Sequence, residues 1–201
     1  MQSFQETLRL YGIDRCLVNQ FLRSMEMDLN QVEYDEDVYK EYILGFAEVV
    51  GLMCLHLFVD GNKGAYEKLR PYAMKLGSAF KKINFLRDIK DDYHLLVRTY
   101  FPDVDMSVFN NTIRAAIELD IENEFKEALL GIKKLPSSSK FGVFLAYKYY
   151  WSLLRRIKQI PAQRILNERI RIPNTQKLSL MMSSYVQYKI DLSRPFRIFG
   201  M

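Results

Sequence analysis

Residues 76–102, LGSAFKKINFLRDIKDDYHLLVRTYFP, hold the side chains best suited to chemistry. At helical spacing Lys81, Asn84, Asp88 and Asp92 fall on one stripe, while Leu76, Ala79, Phe80, Ile83 and Leu86 form an apolar side. Two carboxylates four residues apart, with a carboxamide one turn earlier, offer hard oxygen ligands in a line. Mg²⁺ accepts such a set when a diphosphate adds further oxygens, because it keeps waters and needs few protein ligands. Arg87, Arg98 and Tyr100 can hold the same diphosphate through charge-assisted hydrogen bonds. The plainer possibility is a solvated helix face. Like charges at this spacing cost only about 0.2–0.5 kcal/mol, so spacing alone decides nothing.

Other candidates are poorer. Ser137-Ser138-Ser139 falls in an expected loop with no base beside it, so it makes no nucleophile. Gly45, Gly51 and Gly61 do not sit between a strand and a helix start, as a phosphate-binding loop requires. Cys54 and His56 lie in an apolar run and are expected in the core. Tyr147, Tyr149, Tyr150 and Trp151 read first as packing, although their ring faces could also stabilise a cation. Lys148, Arg155, Arg156 and Lys158 make a basic helical face that meets either anionic lipid or water.

The elements that must position the stripe are helical. About half of the 201 residues are apolar (49%) and a quarter charged (26%), which excludes a disordered tail or a low-complexity array. Two cysteines and two histidines exclude a disulfide-stapled fold and leave little for a Cys- or His-based metal site. The excess of five positive charges permits a phosphate-bearing ligand without demanding nucleic acid, and no nucleic-acid partner is expected. Helical periodicity covers about 14–29, an apolar helix up to Val59, then about 65–93, 108–132, 141–158, 161–170 and 174–189. Asp60-Gly61-Asn62 breaks the chain. Tyr42 to Val59 approaches the roughly 20 residues of a membrane span, but Glu48 and His56 inside it favour a core helix. No basic segment followed by an apolar run opens the chain, so a cytoplasmic protein is expected, free or peripheral to a membrane. The expectation is one all-α domain over residues 1–201, a bundle of roughly seven helices.

The wording of the stripe resembles the second aspartate-rich motif of the squalene/phytoene synthase family. Leu76-Gly77 leads into Asn84-Phe85-Leu86-Arg87-Asp88 with Asp92, then Arg98-Thr99-Tyr100-Phe101. Tyr42 through Gly51, YILGFAEVVG, resembles the family's cavity-lining helix, and Met27-Asp28-Leu29 its Met-Asp-Leu segment. Tyr149-Tyr150 with Ile157, then Glu168-Arg169 and Lys177, resembles its C-terminal helices. These pieces follow in the family's order over about residues 20–190. Two departures stand out. No Asp-x-x-x-Asp precedes Asp28, so the chain resembles the C-terminal two-thirds of a member, without the first aspartate-rich motif. Lys81 replaces a glutamine common in the family.

The resemblance implies an isoprenoid-synthase-like helical bundle and an enzyme that joins two prenyl diphosphates head to head. In that reading Asp88, Asp92 and Asn84 hold Mg²⁺. Arg87, Arg98, Tyr100 and Arg169 serve diphosphate, while Lys81, where the sequence departs from the family, either contacts diphosphate directly or pairs with Asp88 and competes with magnesium. Tyr42, Ala47, Val50, Gly51 and Leu55 shape the apolar tunnel. The substrate would be farnesyl or geranylgeranyl diphosphate, with NADPH needed if the product is squalene. Alternatives are a non-catalytic relative acting in assembly, or a terpene cyclase or head-to-tail synthase of the same fold. Without a first motif the chain alone is expected to bind prenyl diphosphate weakly, to make no squalene- or phytoene-like product even with Mg²⁺, and to self-associate through an exposed cavity or require the missing segment in trans.

Overall fold

The computed structural model describes residues 2–29, 34–94, 99–102 and 104–193, and among these it holds helices and no strand. The helices are α1 (Gln2–Leu10), α2 (Arg15–Met27), α3 (Glu36–Ile43), α4 (Val49–Phe58), α5 (Lys63–His94), α6 (Asn111–Ile132), α7 (Ser137–Lys158), α8 (Ala162–Ile165) and α9 (Asn174–Ser193). A π-helical turn, Leu44–Glu48, joins α3 to α4 without a break, and a 3₁₀ turn at Met106–Val108 precedes α6.

Local chemistry explains most boundaries. Asp14 caps α2 by accepting from the Cys16 amide. Asp35 accepts from the amides of Asp37 and Val38, and Glu36 and Asp37 add negative charge where the helix dipole favours it. Asn110 caps α6 in the same way. After α4 the chain reverses through Asp60 and Gly61, at φ 51° and 68°, and the Gly61 amide bonds back to the His56 carbonyl. Helix α5 runs on through Pro71, which forgoes one backbone bond.

Several expectations change. Helix α1 was not anticipated from its polar sequence; it ends where Gly12 takes φ 63° and the Ile13 amide reaches the Leu8 carbonyl. Ser137–Ser139 is not a loop but the first turn of α7, since Pro136 sets up a helix start. The helix expected over 161–170 is only Ala162–Ile165. Cys54 is exposed rather than in the core.

Helix α5 is the centre of the bundle. One side packs on α6 and the other on the π turn and α4. Both contacts are close because glycine stands at the crossing. A Cβ on Gly131 of α6 would fall 2.3 Å from the Tyr72 Cβ, and one on Gly77 would fall 2.5 Å from the Ala47 carbonyl oxygen. The core contains Ile83, Leu86, Ile121, Phe125, Leu153 and Leu154, all buried. Glu36–Phe58 is long and apolar enough to cross a membrane by length and composition. In this fold its apolar side packs on α5 and walls a cavity.

Candidate functional site

Between α4, α5, α6 and α7 lies a cavity of about 590 Å³. Its wall is built by helical periodicity. Ala47, Val50, Gly51 and Leu55 come from the π turn and α4, and Leu69, Ala73, Leu76, Gly77 and Phe80 from successive turns of α5. Gly131 and Ile132 of α6 and Val143 of α7 complete it. From Leu69 to Asn84 the lining follows α5 for about 22 Å at helical rise. The shape is that of a slot for a long apolar chain.

The slot ends on Lys81 and Asn84. The Lys81 ammonium stands 3.5 Å from the centroid of the Phe46 ring and 4.9 Å from those of Tyr42 and Phe85. It donates to the Tyr42 hydroxyl at 3.2 Å, and that hydroxyl donates to the Asp28 carboxylate at 2.9 Å. Burial pushes the Lys81 pKa down to about 8, against the pull of Asp28, Asp92 and Asp88. Beside it, the Asn84 side-chain oxygen is buried with no hydrogen-bond partner among the described residues. An orphaned acceptor at the end of a cavity is a place for a ligand.

One turn further along α5, Arg87 clasps Asp88 with two bonds, at 3.0 and 2.5 Å. Arg169, arriving from the segment between α8 and α9, adds a third at 2.7 Å. Two guanidiniums on one carboxylate make an anion-receptive corner, since a phosphate can draw both forks.

The structure brings together Lys81, Asn84, Arg87, Asp88 and Arg169, and it sets Ala47, Val50, Gly51 and Leu55 on the cavity wall. It places others elsewhere. Tyr42 does not line the slot; it is fully buried, and its hydroxyl turns to Asp28. Tyr100 is buried against Phe85, ring centroids 4.1 Å apart, and does not line the slot, although its ring centroid is 6.0 Å from the Lys81 ammonium. Asp92 faces a small separate crevice with Phe85, Ile89 and Tyr100. Arg98 and the side chain of His94 lie outside the described residues. Tyr147 and Trp151 pack on Phe125, and Tyr150 stacks on Phe80. Sequence reasoning did not single out Phe46 or Asp28 as site residues. Asp28 sits in the Met-Asp-Leu segment, which was the available signal.

Among the described residues no three acidic, histidine or cysteine side chains come together as a metal cluster. The buried, unpartnered Asn84 oxygen and the Asp88 carboxylate one turn away are a donor set of the right chemistry for Mg²⁺.

Residues 1–176 match the family described as squalene/phytoene synthase. The chain is 23% identical over 198 residues to a 15-cis-phytoene synthase from Pantoea ananas, covering 90% of this chain and 62% of that protein. It thus spans less than two thirds of that relative's length. A crystal structure of a dehydrosqualene synthase in complex with ligand shares the fold at a TM-score of 0.75 and 19% identity, over 89% of this chain and 67% of the other. The helical bundle, the slot and the Asn84–Asp88 stripe thus stand within a match that takes in most of the sequence, and the chain belongs to the squalene/phytoene synthase family.

Proposed function

We propose that the chain binds a prenyl diphosphate, farnesyl or geranylgeranyl, and serves the head-to-head joining of two such molecules. The observation that supports this most is the slot of about 590 Å³ whose one end carries Lys81 and Asn84, with the Arg87–Asp88–Arg169 corner a turn beyond. The prenyl chain lies along α5 between Ala47, Val50, Gly51 and Leu76. There the apolar wall excludes the water that would quench a carbocation. The diphosphate draws Arg87 and Arg169 from Asp88, which leaves that carboxylate beside the Asn84 oxygen. Mg²⁺, when held by Asn84 and Asp88 with Asp92 nearby, would neutralise charge on the departing diphosphate. NADPH enters only if the product is squalene. The reading sets the protein in the cytoplasm, beside the membrane that takes up an apolar product.

A second reading is a relative that binds the prenyl diphosphate without turning it over. The engagement of Asp88 by two guanidiniums favours it. Incubation with labelled farnesyl and geranylgeranyl diphosphate and Mg²⁺, with and without NADPH, separates the two. Head-to-head hydrocarbon that falls by roughly a hundredfold in Asp88→Ala supports the enzyme. Binding with no product supports the second reading. Absence of both removes the proposal.

A further inference from the structure

The polar end of the slot contains a cation of the protein's own. Lys81 is the one charged side chain among the described residues that line it. The ammonium is seated by two kinds of contact, the ring faces of Phe46, Tyr42 and Phe85 and the Tyr42 hydroxyl, so it is held in place rather than swept through solvent. Carboxylates act on it from two helices. Asp28 follows the end of α2, while Asp88 and Asp92 belong to α5. A divalent ion gathering those carboxylates would have to share this space with the ammonium. The Asn84 oxygen beside it is a buried acceptor with no hydrogen-bond donor among the described residues.

We propose that Lys81 is a built-in cation that receives the phosphate head group of a long-chain apolar ligand without a divalent metal ion. The ammonium donates a charge-assisted hydrogen bond to a phosphate oxygen while its remaining contacts hold it at the slot's end. Asn84 accepts from a protonated phosphate oxygen or from a water on the head group. Arg87 and Arg169 add two further cations at the Asp88 corner. Metal is then needed for the departure of diphosphate and not for its capture. This inference rests on the reading of the slot as a prenyl diphosphate site.

Equilibrium binding of farnesyl diphosphate to the whole chain, in EDTA and in Mg²⁺, tests it with Lys81→Gln and Lys81→Arg as variants. Farnesol, which lacks the charge, reports on the slot alone, and the melting curve of each variant reports on folding. The wild type is expected to bind farnesyl diphosphate in EDTA within about threefold of its affinity in Mg²⁺. Lys81→Gln is expected to lose about tenfold or more in EDTA, as one charge-assisted bond is removed, with farnesol binding unchanged. Lys81→Arg should retain most of the affinity. Wild-type binding that appears only with Mg²⁺ overturns the inference and leaves the slot intact, as does undiminished binding by Lys81→Gln in EDTA. Failure of farnesyl diphosphate and farnesol to bind under either condition overturns the reading of the slot itself, and the inference with it.

Discussion

Lys81 and Lys82 are neighbours on α5, yet about 100° of helical turn puts them in opposite electrostatic situations. Lys82 faces α6, is 8% exposed, and reaches Asp120 at 2.5 Å and Glu124 at 3.1 Å. Glu124 also accepts from the buried Ser78 hydroxyl at 2.9 Å. Burial alone would lower the Lys82 pKa, but Glu124 and Asp120 outweigh it and hold it above the usual lysine value. Lys81 faces the slot. Among the described residues it has ring faces and a hydroxyl at contact distance, and its carboxylates act from further off, so burial wins and its pKa falls to about 8. A buried charge with its counter-ions in place is a structural element. A buried charge without them at contact is the one that the proposed head group would partner.

That contrast can be broken from either side. The largest effect should come from Glu124→Ala, which leaves Lys82 and Ser78 without their shared acceptor inside the α5–α6 contact. A loss of about 3 kcal/mol in denaturant unfolding is expected. A variant that unfolds like the wild type would mean that Asp120 alone satisfies Lys82.

The opposite sign is expected across the helix. Lys81→Met should raise stability at pH 7 by of order 1 kcal/mol, since the relieved desolvation exceeds the lost cation–π contacts. The pH dependence follows from the lowered pKa. In the unfolded chain this lysine keeps its proton to about pH 10.5, while in the folded chain it gives it up near 8. Between those values the unfolded state binds more protons, so wild-type stability gains from Lys81 as pH rises. The advantage of Lys81→Met should therefore be greatest below pH 8 and shrink towards pH 10. An advantage that stays flat over that window would show that Lys81 keeps its proton and that the two lysines do not differ.

The smallest effect on folding belongs to Arg169→Ala. Its side chain is 41% exposed, so its bond to Asp88 should contribute under about 1 kcal/mol to stability. Its effect on farnesyl diphosphate binding should be larger on the same energy scale, about tenfold in affinity, or roughly 1.4 kcal/mol. Equal small changes in both measurements would assign Arg169 to the surface rather than to the head-group corner.

Much of this was legible from spacing. The stripe of Lys81, Asn84 and Asp88 needs only the helical repeat, while Ala47, Val50, Gly51 and Leu55 were placed on the wall by the family resemblance, and they line it. Tyr42 was set on the wall by the family resemblance; the π turn at Leu44–Glu48 shifts the register just after it, and the Tyr42 hydroxyl turns to Asp28 instead. Tyr100 lies beyond the end of α5, where no repeat tells which way a ring will turn, and Phe85 takes it as a stacking partner.

The sequence by itself determined the longer helices from α2 on, the break at Asp60-Gly61, and which side of α5 carries the Lys81–Asp88 stripe, because these depend on residues within a few turns of one another. Only the tertiary structure decided that Arg169 closes on Asp88 from 81 positions away, that Asp28 takes the Tyr42 hydroxyl, and that Lys82 rather than Lys81 receives Glu124. Those partners are chosen when α5 is packed between α4 and α6. Their crossings are set by glycines whose closeness becomes visible only once the facing helix is present.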